Sequence, residues 1–217
     1  MSIETILHAR SLGDGPLAQS GWSADAASDC PPLKGDIVAD IVIIGAGYTG
    51  LVAALSATGQ GRRIVVLEAS EPGATASGRN AGHIAPMMWG MKKTPAQMVT
   101  AFGPDRGARM NKAIANAGVF LRDFIALHDV QCEVKLDGYV GAARTPASLE
   151  KVRAGYDAWS AYGGRFEILS KQALARYVAS DSYAGGVLLP DAGALNPLSF
   201  TRGLARAAQA KGVAIYG

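Results

Sequence analysis

The chain has 217 residues, 49% of them hydrophobic and 18% charged, with a formal net charge of +3. That length buries a core without metal or disulfide staples, and that apolar fraction excludes a disordered chain. The only basic doublets are Arg62-Arg63 and Lys92-Lys93, and no basic stripe is interleaved with aromatics, so nucleic acid is not an expected partner.

His8, His83, His128, Cys30 and Cys132 are scattered, with no metal-ligand spacing. Two thiols without a CxxC fit a reducing cytosol, although the two could still pair. The N-terminus MSIETILHAR lacks the shape of a signal peptide, and a cytoplasmic protein is the expectation. Glycine is abundant, at 27 residues, without a collagen period or a low-complexity tract. The glycines therefore belong to turns and close backbone approaches.

In chain order, residues 1–36 are broken by Gly13, Gly15, Pro16, Gly21, Pro31, Pro32 and Gly35 and read as an irregular arm. Trp22, within it, is expected to pack on the domain behind. Asp40–Ile44 reads as a parallel-type strand buried on both faces. Tyr48–Thr58 reads as a helix closed by Gly59 and Gly61, and Arg63–Glu68 as a second buried strand. The nearly uncharged run Ile41–Ala57 is at the short limit for a bilayer span, but its glycines favour strand, turn and helix, so no membrane span is expected.

Residues 70–103 carry no regular signal. Residues 104–130 have apolar positions at three- and four-residue steps, which predicts one long amphipathic helix. Cys132–Arg144 reads as a strand or hairpin. Thr145-Pro146 starts a helix, Arg165–Leu169 is a strand, and Ser170 caps a short helix. Gly186–Leu189 is extended, residues 190–193 form a turn, Asn196-Pro197 starts a helix that ends at Gly212, and Val213–Tyr216 is a last strand. Asp137, Arg144 and Asp191 stand isolated and read as surface residues. Met87-Met88-Trp89 reads as an apolar loop packing on the core.

Gly45-Ala46-Gly47-Tyr48-Thr49-Gly50 is G-x-G-x-x-G between a strand and a helix, and Glu68, 18 residues beyond Gly50, ends the next strand. This is the dinucleotide-binding fingerprint in its required context. Gly45 serves the tight turn, Gly47 the approach of a pyrophosphate, and Gly50 the packing of helix on strand. Glu68 would accept from ribose hydroxyls and repel a 2′-phosphate, so the ligand is NAD or FAD. The fingerprint does not separate the two. Gly73–His83, dense in small and polar residues, could wrap such a ligand with its amides, the Ser77 hydroxyl and the Arg79 guanidinium. An ordinary loop is equally open.

DIVIIGAGYTGLVAAL, VVLEAS and GATASGRNAGH resemble the N-terminal part of the FAD-dependent D-amino-acid oxidase superfamily, and within it the γ-glutamylputrescine oxidoreductases and related amine oxidases. The resemblance continues through Leu136–Tyr139, Tyr183–Gly186, Gly193–Pro197 and Gly203–Ala205, and spans roughly residues 38–217. It implies that Gly45, Ala46, Gly47, Tyr48, Thr49 and Gly50 hold the FAD pyrophosphate, with Glu68 and Ala69 at the ribose. Ser77, Arg79, Asn80, Ala81, Gly82 and His83 would run past the phosphates toward the flavin. His83 stands where related sequences often carry Gln and would alter polarity near the ring; as a residue it also reads as a satisfied loop histidine.

The implied reaction is oxidation of an amine or amino acid at the C–N bond, an imine then hydrolysing, with molecular oxygen reoxidising the flavin. No acid–base constellation within the chain names a catalytic residue. The fold expected is α/β: a Rossmann-like FAD-binding unit (37–103 and 196–217) with a parallel sheet in the order 3-2-1, plus part of an α+β substrate domain (104–195), incomplete at the C-terminus. The chain thus reads as an N-terminal fragment of a flavoenzyme, with an inactive dinucleotide-binding remnant, or more weakly an NAD-dependent dehydrogenase, as alternatives.

Overall fold

The structure, a computed structural model, describes residues 21–26, 29–87 and 93–217. Strand β1 (Ile41–Ile44) leads through a glycine turn into helix α1 (Tyr48–Ser56) and strand β2 (Ile64–Leu67). A 3-10 turn (Ala76–Gly78), β3 (His83–Ile84), α2 (Pro95–Phe102), α3 (Pro104–Ala115) and α4 (Ala117–Leu127) follow. Next come β4 (Val134–Lys135), β5 (Tyr139–Ala143), α5 (Pro146–Ser160), β6 (Glu167–Ser170), α6 (Lys171–Leu174), β7 (Gly185–Leu189) and β8 (Gly193–Leu195). Helix α7 (Pro197–Ala210) and strand β9 (Ala214–Tyr216) close the chain.

Strands β1, β2 and β9 form a parallel sheet in the order β1-β2-β9, with Ile41 opposite Ile64 and Val65 opposite Ala214. The third strand is thus reached after a long excursion, as expected. That excursion builds two antiparallel sheets, β3-β8-β4 and β5-β7-β6. Helices α1 and α7 pack on the parallel sheet around Leu51, Leu55, Val66, Leu204, Ala208 and Ile215, all buried. The run Ile41–Ala57 is strand, turn and a nine-residue helix, and no helix among the described residues is long and apolar enough to cross a membrane.

Helix α7 forms because its start is chemically set. The Asn196 side-chain oxygen Oδ1 accepts from Leu198 N and Ser199 N, both at 3.1 Å, and Pro197 occupies the first turn, where a missing N–H costs nothing. Its small residues then allow close packing: a Cβ on Gly203 would strike the Gln131 carbonyl oxygen.

Several expectations are corrected. Strand β1 is buried on one face only; Val42 and Ile44 are 55% and 79% exposed, because alternate side chains face opposite ways and only the face with Ile41 and Ile43 meets the core. The predicted long helix over 104–130 is two helices, broken at Asn116, whose amide donates to Lys112 O at 2.8 Å and to Tyr162 O at 3.0 Å. Residues 70–103 contain α2, started by a Thr94–Gln97 capping box with Pro95 behind it. That signal is legible in the sequence. Cys132–Arg144 is no hairpin: β4 and β5 join different sheets. Met88 and Trp89 lie outside the described residues, and Cys30 and Cys132 both remain thiols.

Asp191 is no surface residue either. Its side chain is 7% exposed. Arg165 clasps it with two donors, Nε to Oδ2 at 2.7 Å and a second nitrogen to Oδ1, and Arg122 lies 4.0 Å away. Its backbone oxygen faces Gly118 so closely that a Cβ there would overlap it. The carboxylate therefore pins α4 and the segment before β6 to the β7–β8 turn.

The Arg165 hydrogen bond holds the Asp191 carboxyl below its ordinary value. A depressed carboxyl adds stability above its unfolded-state value of about 4, and loses it as pH falls through the lower folded value. Asp191→Asn should lower Tm near neutral pH and flatten the acid limb of a Tm-against-pH curve. Identical acid limbs for the two proteins would contradict this role.

Candidate functional site

The candidate site lies beyond the carboxyl ends of β1 and β2, where open α/β sheets bind ligands. The chain leaves β1 at Gly45, whose φ of +96° belongs to the left-handed region, and whose N–H donates to Leu67 O at 2.7 Å. It then turns at once into α1. A Cβ on Gly50 would overlap the Gly45 carbonyl oxygen, so only glycine lets the first turn of α1 lie on the end of β1.

The cap residue of α1 is Gly47, which brings no side-chain acceptor, and the first turn carries no acidic residue. Unsatisfied N–H groups and the positive end of the helix dipole are thus left for an anion. The Gly47 side of the turn is nearly open: a Cβ there would meet only Ser77 Oγ, at 2.9 Å.

Two segments close around this turn. Glu68, half-buried at the end of β2, accepts from Ala46 N at 2.6 Å and from Ala69 N at 3.0 Å, one bond to each oxygen. Its backbone N–H donates to Tyr216 O on β9 at 2.8 Å. Each carboxylate oxygen keeps lone-pair capacity, so the group can accept ribose hydroxyls without releasing the turn. Ser77 Oγ accepts from Tyr48 N at 3.1 Å, standing in for the missing cap.

Asn80 ties the second segment together. Its amide donates to Ser77 O (3.0 Å), Ala76 O (3.3 Å) and the Tyr48 hydroxyl (3.1 Å), and its oxygen accepts from Gly82 N (2.9 Å). Tyr48 packs its ring 5.2 Å from that of Phe200 on α7. Burial raises its phenol above the ordinary value, so it stays protonated at neutral pH. Gly78 and Gly82 are required by contact: a Cβ on the first would overlap Gly73 O, and on the second Leu195 O.

Of the predicted site residues, Gly45, Ala46, Gly47, Tyr48, Gly50, Glu68, Ser77, Asn80 and Gly82 thus form one constellation. Thr49, Ala69 and Ala81 are exposed at its rim. His83 is exposed on β3, pairs with Ala194 across the sheet, and meets Tyr139 edge-on at 6.0 Å. It lines cavities of about 350 and 480 Å³ that share Asn80, Gly82 and Ala85. Arg79 turns away, its Nε donating to Ala74 O at 2.6 Å, and lines a cavity that residues 45–50 do not. Sequence reading missed the links from Trp22 and Arg202 to this loop, which no local pattern signals.

A family model described as "DAO: FAD dependent oxidoreductase" matches residues 40–217. Gamma-glutamylputrescine oxidoreductase of Escherichia coli (strain K12) is 30% identical over 203 residues, 91% of this chain and 46% of that protein. A probable oxidoreductase, OrdL, of Haemophilus influenzae is 28% identical over 188 residues, 86% of this chain and 43% of that one. Among solved structures, L-amino acid deaminase from Proteus myxofaciens in complex with anthranilate superposes with a TM-score of 0.71 at 20% identity, covering 91% of this chain and 42% of the other. Glycine oxidase from Geobacillus kaustophilus gives 0.61 at 18% identity, covering 82% and 46%. These structures share the fold. The chain spans less than half the length of each of these relatives.

The two glycines of the turn should respond differently to a methyl group. Gly50→Ala drives a Cβ into fixed backbone and should lower stability by about 3 kcal/mol. Gly47→Ala meets only a rotatable hydroxyl and should change stability by less than about 1 kcal/mol. Urea unfolding of both variants checks this; a larger loss in Gly47→Ala would contradict the packing described.

Proposed function

Because the chain belongs to the DAO family of FAD-dependent oxidoreductases, we propose that its glycine turn and the loop after β2 hold FAD for the oxidation of an amine or amino acid at the C–N bond. The observation that carries this is the Glu68 carboxylate fixed 2.6 Å from Ala46 N at an α-helix start that has no side-chain cap. That arrangement suits an anionic pyrophosphate joined to a ribose with free hydroxyls.

The residues present fit the group. The N–H groups of the α1 start would face the pyrophosphate, with Gly47 leaving room for it. Glu68 would accept from the ribose and exclude a 2′-phosphate by charge. Ser77, Asn80, Ala81, Gly82 and His83 would continue along the cofactor. Bound FAD supplies a two-electron acceptor for hydride from the substrate carbon next to nitrogen. The chain's own part is to orient it and to keep the loop Ala76–Gly82 rigid through Asn80.

We assign residues 37–103 and 196–217 to the cofactor side and 104–195 to the substrate side, the two being joined through sheet β3-β8-β4. The relative named for γ-glutamylputrescine supports a substrate of that kind, an amine carrying an acyl substituent; molecular oxygen as final acceptor, reduced to hydrogen peroxide, is part of the same proposal. Two thiols and no disulfide support a reducing, cytoplasmic setting.

Titration of the purified chain with FAD and with NAD, followed by flavin absorbance and fluorescence, tests the cofactor. FAD should bind, NAD should not displace it, and Glu68→Gln should weaken FAD about tenfold. A peroxide assay over γ-glutamylputrescine, simple diamines and free amino acids reads the substrate class. Protein that takes up no flavin would overturn the proposal in favour of a non-catalytic remnant.

A further inference from the structure

The N-terminal segment is bound along α7 through its backbone. Asn196 Nδ2 donates to Ser23 O at 2.6 Å. Arg202 donates to Asp25 O at 2.6 Å and to Ala24 O at 3.5 Å. Gln209 Nε2 donates to Asp29 O at 2.8 Å, and Gly217 N to Pro31 O at 3.2 Å. Residues 23–25 and 29–31 thus follow positions 196 to 217 in the same order, and α7 with its cap residue Asn196 supplies the side-chain donors. Carbonyl acceptors are common to every residue type, which is why the segment's irregular composition gives no sign of this docking.

At its start this strap touches the candidate cofactor loop. The Trp22 indole N–H donates to Asn80 O at 2.9 Å, on the residue whose side chain organises Tyr48, Ser77 and Gly82. Arg202, with 14% of its side chain exposed, extends from the strap carbonyls to Glu71 Oε1 at 3.4 Å. Between these ties the loop meets α7 closely at one point, where Gly73 lies against Leu198, and a cavity of about 610 Å³ opens beside it, lined by Ser70, Glu71, Ala74, Arg79, Trp22 and Arg202. Around that cavity the bridging bonds from Trp22 and Arg202 tie the loop to the strap.

We propose that this N-terminal strap is a positioning element for FAD, with Trp22 holding Asn80, and through it the loop Ala76–Gly82, in the conformation that receives the cofactor. The inference rests on the FAD reading above. A ligand whose binding-competent conformation is less populated binds with proportionally weaker apparent affinity. Loosening the strap should therefore weaken FAD without unfolding the sheet.

Trp22→Phe keeps an aromatic ring and removes the donor; Arg202→Gln removes the charge facing Glu71. In the full chain, each should raise the FAD dissociation constant about three- to tenfold. Without FAD, each should speed amide hydrogen exchange in residues 76–82 by a similar factor, leaving β2 and the middle of α1 unchanged. Unchanged exchange in 76–82, or exchange raised equally throughout the chain, overturns the tether. Faster loop exchange with unaltered FAD affinity overturns its role toward the cofactor. Loop exchange that responds to Trp22→Phe in a chain that takes up no FAD at all is instead a failure of the flavin assignment.

Discussion

The contact between Gly50 and the Gly45 carbonyl oxygen is the constraint on which the site depends. It brings the first turn of α1 down onto the end of β1, closer than any side chain allows. The cap position then falls on Gly47, which offers no acceptor of its own. A helix start without a cap must find acceptors elsewhere. The structure provides them from two directions, Glu68 from the end of β2 and Ser77 from the 3-10 turn. Both are groups that a dinucleotide can also use, so the contacts that hold the turn also shape the candidate site.

Helix α7 is the second organising element. Its buried face closes the core over α1 and the parallel sheet, while Asn196, Arg202 and Gln209 on its other side hold the N-terminal segment. Asn196 does two jobs with one amide: its oxygen caps the helix and its nitrogen reaches Ser23 O and Glu133. Because Phe200 also packs on the Tyr48 ring, α7 touches the core, the N-terminal segment and the candidate site together.

Legibility in the sequence followed the range of the interactions. The βαβ unit was readable because its signals are local: an apolar run, a glycine turn, an Ala- and Leu-rich helix, a second apolar run. The starts at Thr145, Ser170 and Asn196 were readable because a cap acts within three residues. Helix α2 carries the same kind of signal at Thr94 and Gln97, set among neighbours without any periodicity. The break at Asn116 was not readable, since it depends on Tyr162, distant in sequence. Nor was the burial of Asp191, which is set by Arg165 and by the close approach of Gly118.

By itself the sequence determined the type of each strong element, the glycine turn with its acidic partner at position 68, and through these the family. Each rests on residues near one another in the chain, where periodicity and backbone sterics act directly. Tertiary structure alone decided which side of β1 is covered, that β4 and β5 belong to different sheets, and that Arg79 points away from the turn while Asn80 points into it. It also decided that a featureless N-terminal segment reaches the candidate site. Apart from the Arg79–Ala74 bond, which spans five residues, those outcomes turn on pairing, burial and hydrogen bonds between residues tens to nearly two hundred positions apart, for which a chain read in order carries no local mark.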